Sequence, residues 1–178
     1  MVSLKGFIVT LWVVYLTSKT TLVLHADAAR TGAAAPAAAG GNVYCSTISA
    51  VPDRVRCEKV TKTATNWSQA MTMALTDASK HAAHVVHDSK TVSLGDTGCS
   101  ETYTNIEARL KECLDLVSKG DKGDEINFKL SACVTALEDC KNRLQDDRDD
   151  ETPFYILNRH FNHALKICLV VDKSRNAE

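Results

Sequence analysis

Proline is scarce in this chain, with three residues in 178, and glycine occurs only eight times. These residues are the strongest punctuation of local structure. Their scarcity leaves few breaks, and strands are hard to find. An excess of charge is also missing: 21 Lys and Arg stand against 22 Asp and Glu, a net charge of −1. No basic surplus points to nucleic acid, and no acidic block makes a solvating tail. There is no Gly-rich phosphate loop and no C-x-x-C redox motif. Ser and Cys nucleophiles lack a recognisable His/Asp arrangement. No Cys or His spacing supplies the four close ligands of a structural zinc. The chain reads as a non-enzyme without metal or cofactor.

The one apolar run, Gly6 to Leu16 ("GFIVTLWVVYL"), is about a dozen residues, short of the ~20 that span a membrane. Lys5 precedes it, Ser18, Lys19 and Thr20 follow it, and "HADAA" places Ala26 and Ala28 in an A-x-A pattern. Residues 1–28 therefore have the layout of a secretory signal peptide. Its removal takes away Lys5, Lys19 and Asp27, leaving 19 basic and 21 acidic residues, and keeps all seven cysteines. "TGAAAPAAAGG" is low in complexity and has no large apolar residue to bury. Residues 29–42 read as a flexible lead-in, residues 43–172 as the folded domain, and 173–178 as a tail.

What is abundant is helical periodicity. Cys99, Tyr103, Ile106, Leu110, Cys113 and Val117 step by 4, 3, 4, 3, 4. Ile126, Leu130, Cys133, Leu137, Cys140 and Leu144 do the same, and Phe154, Leu157, Phe161, Ala164, Cys168 and Val171 step by 3, 4, 3, 4, 3. A noisier stripe runs Val60, Ala64, Trp67, Met71, Ala74, Ala78, Val85. Gly120 and Gly123 end one helix, with Asp124 capping the next. Thr152 before Pro153 reads as an N-cap followed by proline at the first helical position. The expected fold is an all-α, up-down-up-down four-helix bundle.

The cysteines then become a geometry problem. Cys133 and Cys140 lie two turns apart, ~10 Å along a helix, beyond the ~7 Å reach of a disulfide. If the second and third bundle helices turn around near residues 118–124, facing residues have numbers summing to about 240. Cys99 and Cys140 fit that register and are the expected inter-helix staple. Cys113 with Cys133 would sit ~10 Å out of step. Cys45 and Cys57 flank a Val51-Pro52-Asp53 turn and close a short N-terminal helical hairpin of their own. Cys113, Cys133 and Cys168 remain. They are either buried free thiols or include a third bridge, Cys133–Cys168, on facing helices.

These features resemble the plant invertase and pectin methylesterase inhibitor family. "LSACVTALEDC" matches its Leu-Ser-Ala-Ala-Leu-Thr pattern with a Cys after four more residues, through Leu130, Ser131, Ala132, Thr135 and Cys140. "CSETYTNIEARL" matches Cys-x-Glu-x-Tyr and a later Leu, through Cys99, Glu101, Tyr103 and Leu110. "CSTISAVPDRVRC" is similar to the family's first cysteine pair, and the likeness covers about residues 43–172. The resemblance implies a secreted, apoplastic, monomeric inhibitor. It would form a one-to-one complex that covers the substrate cleft of pectin methylesterase, or alternatively of invertase. "GDEINFK" lacks the Pro-Lys-Phe of cell-wall invertase inhibitors, which favours pectin methylesterase, although Phe128 keeps a phenylalanine there. The remaining alternative is a secreted bundle with a structural or signalling role and no inhibition.

Exposed residues on the second and third bundle helices are the candidate target contacts: Glu101, Asn105, Arg109, Phe128, Lys129 and Thr135. Phe128 stands out as apolar but off the 126/130/133 stripe. "HAAHVVH" spaces His81, His84 and His87 by three, drifting around a boundary face, with pH sensing as the sharper reading. "QDDRDDE" reads as a solvated link. Asn66-Trp67-Ser68 is a glycosylation sequon whose tryptophan lies on the apolar stripe.

Overall fold

In the computed structural model of the chain, the described residues are 42–91, 98–121, 123–145 and 153–176. All lie in the second of two units, Gly40–Glu178. The signal peptide, most of the lead-in, Thr152 and nearly all of "QDDRDDE" fall outside the described residues.

The elements are a 3₁₀ turn, Val43–Cys45, and five helices: α1 Val51–Val60, α2 Trp67–Thr91, α3 Cys99–Ser118, α4 Glu125–Gln145 and α5 Pro153–Lys173. A second 3₁₀ turn, Ser174–Asn176, follows. Helices α2 to α5 pack as a ring of neighbours, α2 on α3, α3 on α4, α4 on α5 and α5 on α2. This is the expected four-helix bundle. No strand occurs among the described residues.

Each stripe read from the sequence faces the core. Tyr103, Ile106, Leu110, Ile126, Leu130 and Phe161 are 0–1% exposed. Burying an aliphatic or aromatic side chain of this size contributes about 1.5–3 kcal/mol. The α3–α4 link closes as the glycines require. Gly120 has φ +74°. Its N–H donates to Val117 O, and Asp121 N–H donates to Leu116 O, both at 3.0 Å. That pair of bonds satisfies the last carbonyls of α3, and only glycine adopts the left-handed conformation at no steric cost.

The N-terminal segment departs from expectation in one respect. Val51-Pro52-Asp53 is the first turn of α1, because proline suits the opening positions of a helix. The stripe Val60–Ala64–Trp67 is accordingly split. α1 ends at Val60 and the bundle helix starts at Trp67. Short polar residues take over between them. Thr61 Oγ1 donates to Cys57 O at 2.9 Å and accepts from Asn42 Nδ2 at 2.7 Å. Asn66 then caps α2, its Oδ1 accepting from Gln69 N–H at 2.9 Å.

At the other end the fold runs past residue 172. Trp67 Nε1 donates to Val171 O at 3.0 Å, and the Arg175 guanidinium lies 5.2 Å from the Trp67 ring centre. Arg175 also pairs with buried Asp172 and donates to Gly123 O at 2.6 Å. Asn127 Nδ2 donates to Asp172 at 2.8 Å. These contacts tie the C-terminal turn to the α3–α4 link.

Candidate functional site

Both expected disulfides are present. Cys45–Cys57 has a Cα separation of 5.9 Å and Cys99–Cys140 one of 5.6 Å. The register that Cys99–Cys140 implies is met a second time near the link, where Lys129 Nζ lies 2.7 Å from Glu112 Oε2. Their numbers also sum close to 240. One antiparallel register therefore holds along the whole α3–α4 pair.

The third bridge does not form: Cys113, Cys133 and Cys168 are buried free thiols. Facing numbers place two residues at one height on neighbouring helices. A disulfide also needs their Cβ vectors aimed at each other. Both Cys133 and Cys168 lie on stripes that point into the core shared by four helices, where each thiol packs as a small apolar group. Burial raises all three thiols, Cys113 up to about 12 and Cys133 up to about 11. Cys168 is raised well above its usual value. None is a nucleophile at neutral pH, since the thiolate is the reactive form.

The candidate contact residues gather on one face of α3 and α4. Glu101, Asn105 and Arg109 are exposed at four-residue steps along α3. The shared register sets Asn105 level with Thr135 and Glu112 level with Phe128. Phe128 is 73% exposed, more than any other large apolar side chain among the described residues. Thr135 is exposed and its hydroxyl bonds its own helix, donating to Ser131 O at 3.2 Å. Lys129 differs from expectation. Its side chain is only 22% exposed and is held by Glu112 and, at 3.4 Å, by Glu125. It serves as an internal strut of this face. The Glu112 carboxyl is lowered by its hydrogen bond and charge pairing with Lys129.

The histidines divide. His84 and His87 are exposed, whereas His81 enters a polar cluster that joins α1, α2 and α5. Arg56 Nη2 lies 2.6 Å from His81 Nε2 and 3.6 Å from Asp77 Oδ2. The ring centres of His81 and His160 are 6.3 Å apart. His163 Nδ1 meets Asp53 Oδ1 at 3.0 Å. Sequence reasoning missed Arg56, Asp77, His160 and His163 because they come from three separate helices and no spacing links them.

Asn66 is exposed and Trp67 is 5% exposed, so the sequon sits at a helix cap with its middle residue buried. No group of three or more His, Cys, Asp or Glu that could hold a metal occurs among the described residues. No described helix is long and apolar enough to cross a membrane. The two disulfides are of the kind that persists in oxidising compartments. No family model, curated protein or solved structure matches the chain.

Proposed function

We propose that this chain is a secreted inhibitor of pectin methylesterase, working by occlusion of the enzyme's substrate cleft. The observation that carries the reading is the exposed Phe128 on the polar face that α3 and α4 share. Interfaces draw most of their energy from a few aromatic or Arg anchors surrounded by polar contacts that exclude water. Phe128, Arg109, Asn105 and Thr135 supply that combination on rigid helices. Two further features support it. The disulfides join the cysteines that the family resemblance pairs, and the motif residues Leu130, Tyr103 and Leu110 serve the core that holds this face.

The chain acts through its exterior and performs no chemistry of its own. Its thiols are buried and protonated, and it forms a one-to-one complex as a monomer. The test mixes the purified protein with pectin methylesterase and, separately, with invertase, and follows residual activity from mildly acidic to neutral pH. Stoichiometric loss of pectin methylesterase activity upholds the proposal. Loss of invertase activity alone reassigns the target. No effect on either enzyme replaces inhibition with a structural or signalling role.

A further inference from the structure

We propose that the recess between α4 and α5 binds a small hydroxylated carboxylate. The recess has a volume of about 60 Å³, opens to solvent, and is lined by Lys141, Tyr155, Asn158, Arg159 and Asn162. The four residues from α5 recur at i, i+3, i+4 and i+7, so they lie on a single helix face. Lys141 reaches in from α4, its ammonium 5.7 Å from the Tyr155 ring centre.

Asn158 is 4% exposed. Its Oδ1 and that of Asn162 are buried without a hydrogen-bond partner. A buried amide oxygen left without a donor forfeits its hydration for nothing, and such groups are rare enough in native proteins that each asks for an explanation. Two of them, one helical turn apart and lining one recess, call for an occupant that brings its own donors. Hydroxyl groups do so. The charges set the other half of the requirement. Lys141 and Arg159 are both cationic, and neither makes an ion pair among the described residues. Arg presents a planar fork suited to a carboxylate, and Lys adds a point charge. A molecule bearing neighbouring hydroxyls and one carboxylate satisfies all four side chains together. The recess admits only a few heavy atoms, so the ligand is compact or inserts its end. This inference does not depend on which enzyme the chain inhibits.

The probes are glycerate, which carries both features, acetate, which has the charge alone, and glycerol, which has the hydroxyls alone. Each is titrated into the full folded chain and followed by calorimetry and by amide NMR shifts. Glycerate is expected to bind at least about tenfold more tightly than either control, with shifts centred on Lys141, Tyr155 and Asn158–Asn162. Arg159→Gln, an exposed change that leaves the bundle intact, should weaken glycerate by about tenfold. Asn158→Leu should fill the recess, abolish binding and raise the melting temperature. Glycerate binding no better than acetate, shifts located elsewhere, or no binding at all would each overturn the proposal. A rise in melting temperature for Asn158→Leu with no glycerate response at all would leave the recess as a site for ordered water only.

Discussion

Arg56 Nη2 and His81 Nε2 lie 2.6 Å apart, joining α1 to α2 across 25 positions of sequence. A guanidinium can only donate. His81 must therefore accept through Nε2, which fixes a neutral ring with its proton on Nδ1. Burial lowers the His81 pKa, and Arg56, His160 and His84 lower it further against the attraction of Asp77. His160 is lowered as well, by burial and by Arg56, Arg159 and His163.

The sign of the pH effect follows. In acid just below the usual histidine value of 6.5, the unfolded chain binds protons that the folded chain refuses. Stability then rises with pH. The contribution is complete above that value and is lost as pH falls through the lowered folded pKa. Thermal melts from neutral into mild acid, at fixed salt, should show the melting temperature dropping. His81→Gln should flatten the drop, because glutamine keeps an acceptor for Arg56 and cannot gain a charge. An unchanged slope in that variant would remove His81 as the source.

Phe128→Ala separates recognition from folding. The side chain is 73% exposed, so stability should change by no more than about 0.5 kcal/mol. If Phe128 anchors the target, inhibition should weaken by about 2 kcal/mol or more, roughly thirtyfold. Leu130→Ala, two residues further along α4, on its opposite face and fully buried, should instead lower stability by about 2–5 kcal/mol. Inhibition by Phe128→Ala equal to wild type would move the contact surface off this face.

The contrast between Phe128 and Leu130 also shows what the sequence made legible. Period-3.6 apolar steps report which residues a helix buries, and every stripe residue of α3 is buried. Antiparallel register then followed from link position alone, which is why Cys99 and Cys140 could be paired by arithmetic. Height on a helix is a one-dimensional quantity. Whether Cys133 and Cys168 bond depends on side-chain direction around the helix axis, which numbering does not carry. The Arg56–His81 contact was hidden for a related reason: α1 is not one of the four bundle helices but packs on α2 and α5, and no antiparallel sum rule governs it. The α1 boundary was misplaced because Thr61 and Asn66 bond the backbone locally, an effect that apolar periodicity does not record.

The two disulfides should differ in what their loss releases. Cys99–Cys140 closes a sequence separation of 41 residues and Cys45–Cys57 one of 12. On the chain-entropy account their removal costs about 4 and about 3 kcal/mol. Cys57 is the only buried residue of α1. Cys45→Ala with Cys57→Ala should therefore speed hydrogen exchange in α1 while the bundle stays protected. Cys99→Ala with Cys140→Ala should lower the global unfolding free energy in urea. Equal protection of α1 with and without its bridge would show that other contacts anchor it.

The three free thiols give a count that can be weighed. Burial holds them protonated. Alkylation of the native protein at neutral pH should add no label. Alkylation after unfolding, without reduction, should add three, one for each of Cys113, Cys133 and Cys168. A single label would mean that two of them had bonded, and rapid native labelling would mean that the core opens on the timescale of the reagent.

Tyr103 offers the sharpest stability test. Its ring is fully buried and meets Phe154 edge-on, with centres 5.7 Å apart and planes at 66°. Its hydroxyl is buried and has no hydrogen-bond partner among the described residues. Burial also drives its ionisation far above the usual tyrosine range, so the group stays a neutral phenol at any working pH. An unsatisfied buried hydroxyl costs about 1–3 kcal/mol. Tyr103→Phe keeps the ring contact and removes that cost, so it should raise stability by about 1 kcal/mol in urea denaturation. Tyr103→Ala removes the ring as well and should cost about 3–5 kcal/mol. A destabilised Tyr103→Phe would mean that the hydroxyl is bonded in the folded protein. Helix α3 would then owe part of its position to that bond, and not to the fit of its apolar stripe alone.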